Sequence, residues 1–367
     1  MGLNLKEHIK DIEKKSYIKE DLEVDTMDDI IDCSHGINPF GFSKRIRWEE
    51  ELSESFINSY PQYPYSVLKK RICSYWKKHA SINDHNVIIG HGSISILDKI
   101  SGLIIDKGAT VLGYCPQFTD YMNCVAIHNG KYEYVPLRKE SKLKFDLEEF
   151  KSKISTKYKV LYIDNPNNPT GQVIEISKIN EIVKAAKKND IWVIVDEAYG
   201  DFMKKENSAI KLVEDNENLI VVRTFSKGFG LAGLRIGYAI CSRQFSQFYK
   251  KVSMPFDINS FGHYAAVTAL SDESFLKDSI SNIKKSKSVI MDSLSKISVM
   301  QTDMGVPIMT LEYPDSSVDF KKLLIKNGVL AEAGSDFVNL GKNYVRLRIP
   351  KEPYELARIL GDIENKI

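Results

Sequence analysis

Between residues 86 and 240 short β-branched runs alternate with longer stretches of helical periodicity, and that alternation restricts the fold more than any other feature of the chain. Strands separated by helices run parallel, because a parallel pair needs a long crossover, and a parallel sheet is covered on both faces. The strand candidates are NVIIG (86–90), ATVLGY (109–114), YEYVPL (132–137), KVLYID (159–164), IWVIVD (191–196), LIVVRTF (219–225) and RIGYAIC (235–241). SISILDKISGLII and SKINEIVKAAKKND read as helices between them, each opened by a serine, Ser93 or Ser177, placed to cap exposed N–H groups. The expected fold class is therefore α/β with a large, mostly parallel sheet.

At 367 residues the chain is long for a single core, and beyond Phe261 its texture changes. HYAAVTALSDESFLKDSISNIKKSKSVIMDSLSKI reads as long helices, while VMQTDMGVPIMTLEYP and NYVRLRIP hold strand candidates. A large α/β domain is expected over residues 46–260 and a smaller α+β domain over 261–367. Residues 1–45, one helix followed by the turn-rich CSHGINPFGFS, are expected to pack at their junction. No internal repeat or low-complexity tract interrupts this plan.

Fifty-one basic residues against 49 acidic ones leave a net charge of +2 with no basic patch, which argues against nucleic-acid binding. Five cysteines without a C-x-x-C pair suit a reducing compartment and argue against a disulfide framework or a metal centre. The polar N-terminus is unlike a signal peptide, and no run of about 18 uncharged apolar residues reads as a membrane span. The expected location is the cytoplasm.

The densest chemistry lies in TFSKGFGLAGLRIGY, residues 224–238. A Ser-Lys pair in a turn is by itself an ordinary solvated side chain. At a strand end beside small hydroxyls, however, Lys227 can sit in a desolvated pocket where its amine becomes available to a carbonyl. Thr224, Ser226 and the guanidinium of Arg235 together suit the oxygens of a phosphate. Upstream, IWVIVD runs into DEAYG with Asp196 and Tyr199 three apart, where side chains at a parallel strand's carboxyl end reach a ligand crevice. An aspartate there can pair with a protonated pyridine nitrogen, and a tyrosine hydroxyl can bond the ring oxygen beside it. Farther upstream, LYIDNPNNPTGQ places Asn168 in a turn directly after another strand.

Strand, NPNNPTG, strand, DEAY, strand, SKGFGLAGLRIGY: in this order the motifs resemble the class I/II aminotransferases of fold type I, over nearly the whole chain. The resemblance implies a pyridoxal 5′-phosphate enzyme in which Lys227 holds the cofactor as a Schiff base. Asn168 and Tyr199 would then hold the ring's 3′-oxygen, and Asp196 its nitrogen. GHGSIS, with Gly92, Ser93 and Ile94, matches the turn at a helix N-terminus that receives the phosphate. Phe118 in CPQFTDY stands where the family stacks an aromatic on the ring. Tyr60 in YPQYPYSVLKKRI resembles the tyrosine that reaches the neighbouring subunit's cofactor, which implies a homodimer with shared sites. Arg346 in YVRLRIP resembles the arginine that clamps a substrate carboxylate. Arg348, two residues on and so on the same strand face, is its alternative. Asn38 in SHGINPFG is taken as a second substrate contact.

The segments SHGINPFG and YPQYPYSVLKKRI resemble the branch of histidinol-phosphate aminotransferase and threonine-phosphate decarboxylase. The branch's usual arginine before the last strand is here Glu332, and an acidic residue disfavours an anionic tail. The reading preferred is an aminotransferase exchanging an amino group between an amino acid and a 2-oxo acid. An amino-acid decarboxylase is the alternative, and INPFG leans towards it. A third reading is a non-catalytic ligand-binding module of the kind regulators retain. Those carry a separate DNA-binding domain of roughly 60 to 80 residues, for which this chain has no room.

Overall fold

The computed structural model describes residues 6–14, 16, 30–48 and 54–367. Those residues form strands β1 (Ile31–Asp32), β2 (Val87–Gly90), β3 (Thr110–Cys115), β4 (Lys131–Pro136), β5 (Tyr158–Asp164), β6 (Trp192–Asp196) and β7 (Leu219–Thr224). They continue with β8 (Gly237–Ile240), β9 (Ser298–Val299), β10 (Ile308–Glu312), β11 (Val329–Leu330), β12 (Glu332–Ala333) and β13 (Tyr344–Arg348). A seven-stranded sheet has the order β2-β8-β7-β6-β5-β3-β4. Only β8 runs antiparallel to its neighbours.

Each expected strand is present, and the reason is burial on both faces. Leu161, Ile163, Val193, Val195 and Val221 enter one core, while Val160, Tyr162, Ile194, Ile220 and Val222 enter the other. That produces the near-continuous apolar runs of a covered parallel sheet. The strands β5, β6 and β7 end at Asp164, Asp196 and Thr224, so three polar side chains stand along one edge of the sheet.

The serine caps are not formed. The helix Gly92–Ile104 begins before Ser93, with His91 at its N-cap making no side-chain bond. Gly92 has a φ of +73°, which turns the chain into the helix there and leaves the first N–H groups facing outward. The helix Ile176–Lys188 begins before Ser177, and the N–H of Ile176 donates instead to Asn207 at 2.7 Å. A side chain distant in sequence does the work assigned to the local serine.

A second sheet, antiparallel in the order β12-β13-β10-β9, lies in the last third of the chain with its own core of Leu311, Leu347, Leu356 and Leu360. The helix Glu273–Asp292 crosses from the large core at Leu276 to this one at Ile290. Residues 261–270, expected in the smaller domain, pack elsewhere: Ala265, Ala266, Ala269 and Leu270 share the large core with Leu68 and Ile72. The small side chains of Ser260–Ala269 let that helix lie close on Ser66–Trp76, so the break in packing falls after it.

Residues 30–48 bridge the two sheets. β1 pairs in parallel with β11, Asn38 donates to Gly228 O at 2.9 Å and to Ser279 at 3.1 Å, and Ser43 donates to Asp272 at 2.5 Å. The N-terminal helix expected before this segment appears as the single turn Glu7–Lys10, and residues 17–29 lie outside the described residues. Among the described residues no helix is long and apolar enough to cross a membrane.

Candidate active site

At the carboxyl edge of β5, β6 and β7 lies a cavity of about 210 Å³. Thr224, Ser226 and Lys227 line it from the turn after β7, Asp196 and Tyr199 from the turn after β6, and Asn168 from the turn after β5. Of the other expected residues Phe118, Ser93, Ile94 and Arg235 also line it, with Gly92 directly before Ser93. The three motifs meet because each follows a neighbouring strand of one sheet.

One end of the cavity is built for an anion. Thr224 donates to Ser226 at 2.9 Å, and the N–H of Ser226 returns to Thr224 at 3.1 Å. Arg235 reaches Ser226 at 3.4 Å, and no acidic side chain among the described residues pairs with it. A Cβ on Gly92 would come within 2.6 Å of this guanidinium and push it aside, so glycine, also suited to the φ of +73°, keeps the start of the Gly92–Ile104 helix close to the arginine. Outward N–H groups, two hydroxyls and a cation thus converge, as a phosphate requires.

Along the floor, Tyr162 donates to Asp196 at 2.9 Å and the N–H of Ala198 donates to its other oxygen at 2.9 Å. Burial, reinforced by the charge of Asp164, pushes the Asp196 carboxyl up to about 7. The Lys227 amine lies 5.4 Å from the centre of the Tyr199 ring. Burial, then the charges of Arg346 and Arg235, bring that amine down to about 8, against a smaller opposing pull from Asp196. A buried amine of this kind is partly neutral near pH 8 and available as a nucleophile or base.

Arg346 does not line the cavity but reaches it through Asn168, whose side-chain oxygen accepts from the guanidinium at 3.0 Å. It also donates to the carbonyl of Ser34, and Glu332, its partner across β12 and β13, stands 3.5 Å away. Burial pushes the Glu332 carboxyl up and Arg346 pulls it back. Arg348 is turned to the Asp32 carbonyl.

Asn38 and Tyr60 also stand outside this cavity's lining, and Tyr60 was expected only at a neighbouring subunit's cofactor. Asn38 is buried, and its amide is spent on Gly228 and Ser279, so it clamps the loop that carries Lys227 instead of facing the cavity. Tyr60 is 78% exposed and stacks on Phe256 with ring centroids 4.5 Å apart, away from its own chain's cavity. Asp164 and Asp120 line the cavity without having been anticipated. Asp164 had a legible signal, since it ends its strand as Asp196 does.

The family model of class I and II aminotransferases matches residues 28–361. The histidinol-phosphate aminotransferase of Methanocaldococcus jannaschii is 32% identical over 343 residues, covering 92% of this chain and 90% of that protein. Among solved structures, the histidinol-phosphate aminotransferase from Clostridium acetobutylicum superposes with a TM-score of 0.82 at 24% identity, over 92% of this chain and 100% of that one. The enzyme of the same name from Sinorhizobium meliloti, solved in complex with pyridoxal 5′-phosphate, gives 0.79 at 22%, over 91% of this chain and 90% of that one. These likenesses show the fold of a type I pyridoxal-phosphate enzyme.

Proposed function

The chain belongs to the class I and II aminotransferase family, and from that premise we propose that Lys227 carries pyridoxal phosphate while an amino group moves between an amino acid and a 2-oxo acid. The observation that carries the reading is a Lys227 amine held in one cavity with Asp196, Tyr199 and Asn168, beside the anion end of Arg235, Ser226 and Thr224. The cofactor's parts have counterparts there: hydroxyls, N–H groups and a guanidinium for a phosphate, a carboxylate for a ring nitrogen, and an amine for an aldehyde. When bound, the cofactor supplies an electron sink for the bond that breaks at the substrate's α-carbon.

The residues divide the remaining work. Arg235, Ser226, Thr224 and the N–H groups after Gly92 hold the phosphate, Phe118 covers the ring, and Asn168 and Tyr199 bond its oxygen. Asp196 keeps the ring nitrogen charged. Nζ of Lys227 would take the α-proton and return it, acting as base and then acid. Arg346 meets the α-carboxylate. The names of the relatives are those of aminotransferases, so the decarboxylase reading is not favoured.

A homodimer completes the proposal: Tyr60, Tyr63, Met254 and Phe256 form an exposed apolar patch suited to a second copy of the chain. The chain would then divide into the bridging N-terminal segment, a large unit around the seven-stranded sheet, and a smaller unit entered along Glu273–Asp292.

The relatives' name puts histidinol phosphate first among amines to try. Glu332 favours a second reading, a substrate whose side chain is neutral or cationic, because a buried carboxylate beside Arg346 repels an anionic tail. A panel of neutral, basic and phosphorylated amines tests both. Loss of the bound cofactor's visible band together with a ketone or 2-oxo acid product is expected from the true donor. A protein that binds no pyridoxal phosphate, or that releases CO₂ without changing the cofactor's amino state, overturns the assignment.

A further inference from the structure

Asp164 and Asp196 are Cα partners at the ends of the parallel strands β5 and β6, so both side chains project from the same face of the sheet. Each is 3% exposed, and both line the cavity that holds Lys227. Asp164 accepts from the Tyr114 hydroxyl at 2.7 Å, the Asn167 amide at 3.1 Å, and the N–H groups of Asn168 at 3.0 Å and Phe118 at 3.3 Å. One carboxylate therefore fixes both the turn that bears Asn168 and the backbone of the aromatic lid. No basic side chain among the described residues forms an ion pair with Asp164 or Asp196.

The titratable groups around the pair are mostly acidic or phenolic. Tyr114 stands on β3, Tyr132 on β4 and Tyr162 on β5, while Glu197 follows Asp196. Tyr121 and Cys124 face Asp196 from the helix Thr119–Ile127. Lys227, whose amine feels the charge of Asp196, shares the cavity without forming an ion pair there. Two carboxylates on partnered strand ends that line one low-dielectric cavity raise each other's titration. Burial pushes both up, and Asp164 adds to the rise at Asp196.

Resting on the cofactor assignment above, we propose that Asp164 and Asp196 act as one unit, a carboxylate pair that holds a single proton in the cofactor-free protein and passes it to the ring nitrogen as pyridoxal phosphate seats. The carboxyl O–H bond breaks, an N–H bond forms at the ring, and the electron pair stays on the carboxylate. Nothing is oxidised or reduced. The negative charge left on the floor then faces the positive ring nitrogen it created. Asp164 is in this account a positioning residue that also sets the charge of its neighbour.

Infrared difference spectra of the full-length protein, taken as pyridoxal phosphate is added at pH 6, test the proposal. A protonated-carboxyl band is expected before addition and lost at saturation. In the cofactor-free wild type it titrates near pH 7. In Asp164→Asn the midpoint falls below that of the wild type, because one of the charges that raises it is gone while burial remains, and the band at pH 6 weakens. Asp196→Asn reads the pair from the other side, because the titration near pH 7 should then be lost. No protonated carboxyl in the wild type, or an unchanged midpoint in Asp164→Asn, overturns the pair. Failure of the wild type to bind the cofactor overturns the functional reading instead, and leaves the band itself intact.

Discussion

Asp196 and Glu197 are adjacent at the end of β6, yet they meet opposite treatment. Glu197 turns away from the cavity to Arg223, which donates to it at 2.7 Å and also pairs with Asp201. Ser208 and the N–H of Ala209 add two more bonds at 2.7 Å, and the Arg223 guanidinium lies 5.0 Å from the centre of the Trp76 ring. Asp196 turns into the cavity, where it and Asp164 have hydroxyl and N–H donors but no paired cation. One face of the sheet carries a buried ionic network that ties the Asp196 and Lys227 motifs together through Glu197 and Arg223. The other is left with a charge to be met by something that arrives. The contrast separates residues that hold the fold from residues that hold a ligand.

The largest expected effect is at the ligand face. Lys227→Ala should lower turnover by more than about 10⁴-fold and abolish the borohydride-trapped adduct, with melting behaviour nearly unchanged. A covalent adduct surviving in that variant would break the comparison at its centre. Asp196→Ala should reduce kcat/KM by about 10³-fold, with cofactor affinity also falling but the fold intact. On the opposite face, Arg223→Met should lower stability by about 3 to 5 kcal/mol in denaturant unfolding, because two buried carboxylates lose their partner. Equal stability losses in Asp196→Ala and Arg223→Met would erase the distinction.

Smaller effects sharpen it. Glu332→Arg should move the preference for phosphorylated over neutral amines upward by about tenfold or more, read as the ratio of kcat/KM values. An unchanged ratio would remove Glu332 from the substrate's environment. The last effect concerns pH in the cofactor-free protein. Asp196 in the folded state keeps its proton up to about 7, whereas an unfolded chain releases it near 4. The folded state therefore binds more protons in that window, and the group's contribution to stability falls as pH rises through it. Melting curves of Asp196→Asn should lose this slope, and a retained slope would assign it to another group.

How much of this was legible followed from where the information lies. The strands could be read because burial on both faces writes itself into consecutive residues such as those of β6 and β7. Lys227, Asp196, Tyr199, Asn168 and Arg235 could be gathered because each follows a strand of the same sheet. Ser93 and Ser177 misled because helix starts are settled by partners elsewhere, Asn207 in one case and an outward-facing anion end in the other. Asn38 misled for a similar reason, since its contacts at Gly228 and Ser279 are 190 and 241 residues away. Asp164 was passed over because the Asn-Pro turn beside it carried the stronger local pattern.

The bridge between β1 and β11 has a consequence for how the molecule comes into being. Arg346 takes the carbonyl of Ser34 across 312 residues of chain, and Arg348 takes that of Asp32 across 316. During synthesis the seven-stranded sheet is complete in sequence at Ile240, long before β11 and β13 emerge. The amino-terminal strand must wait, unpaired, for partners made last, and closing so long a loop is slow. The cavity wall can thus be assembled early, while the arginine meant for substrate gains its neighbours only when the two ends of the chain find each other.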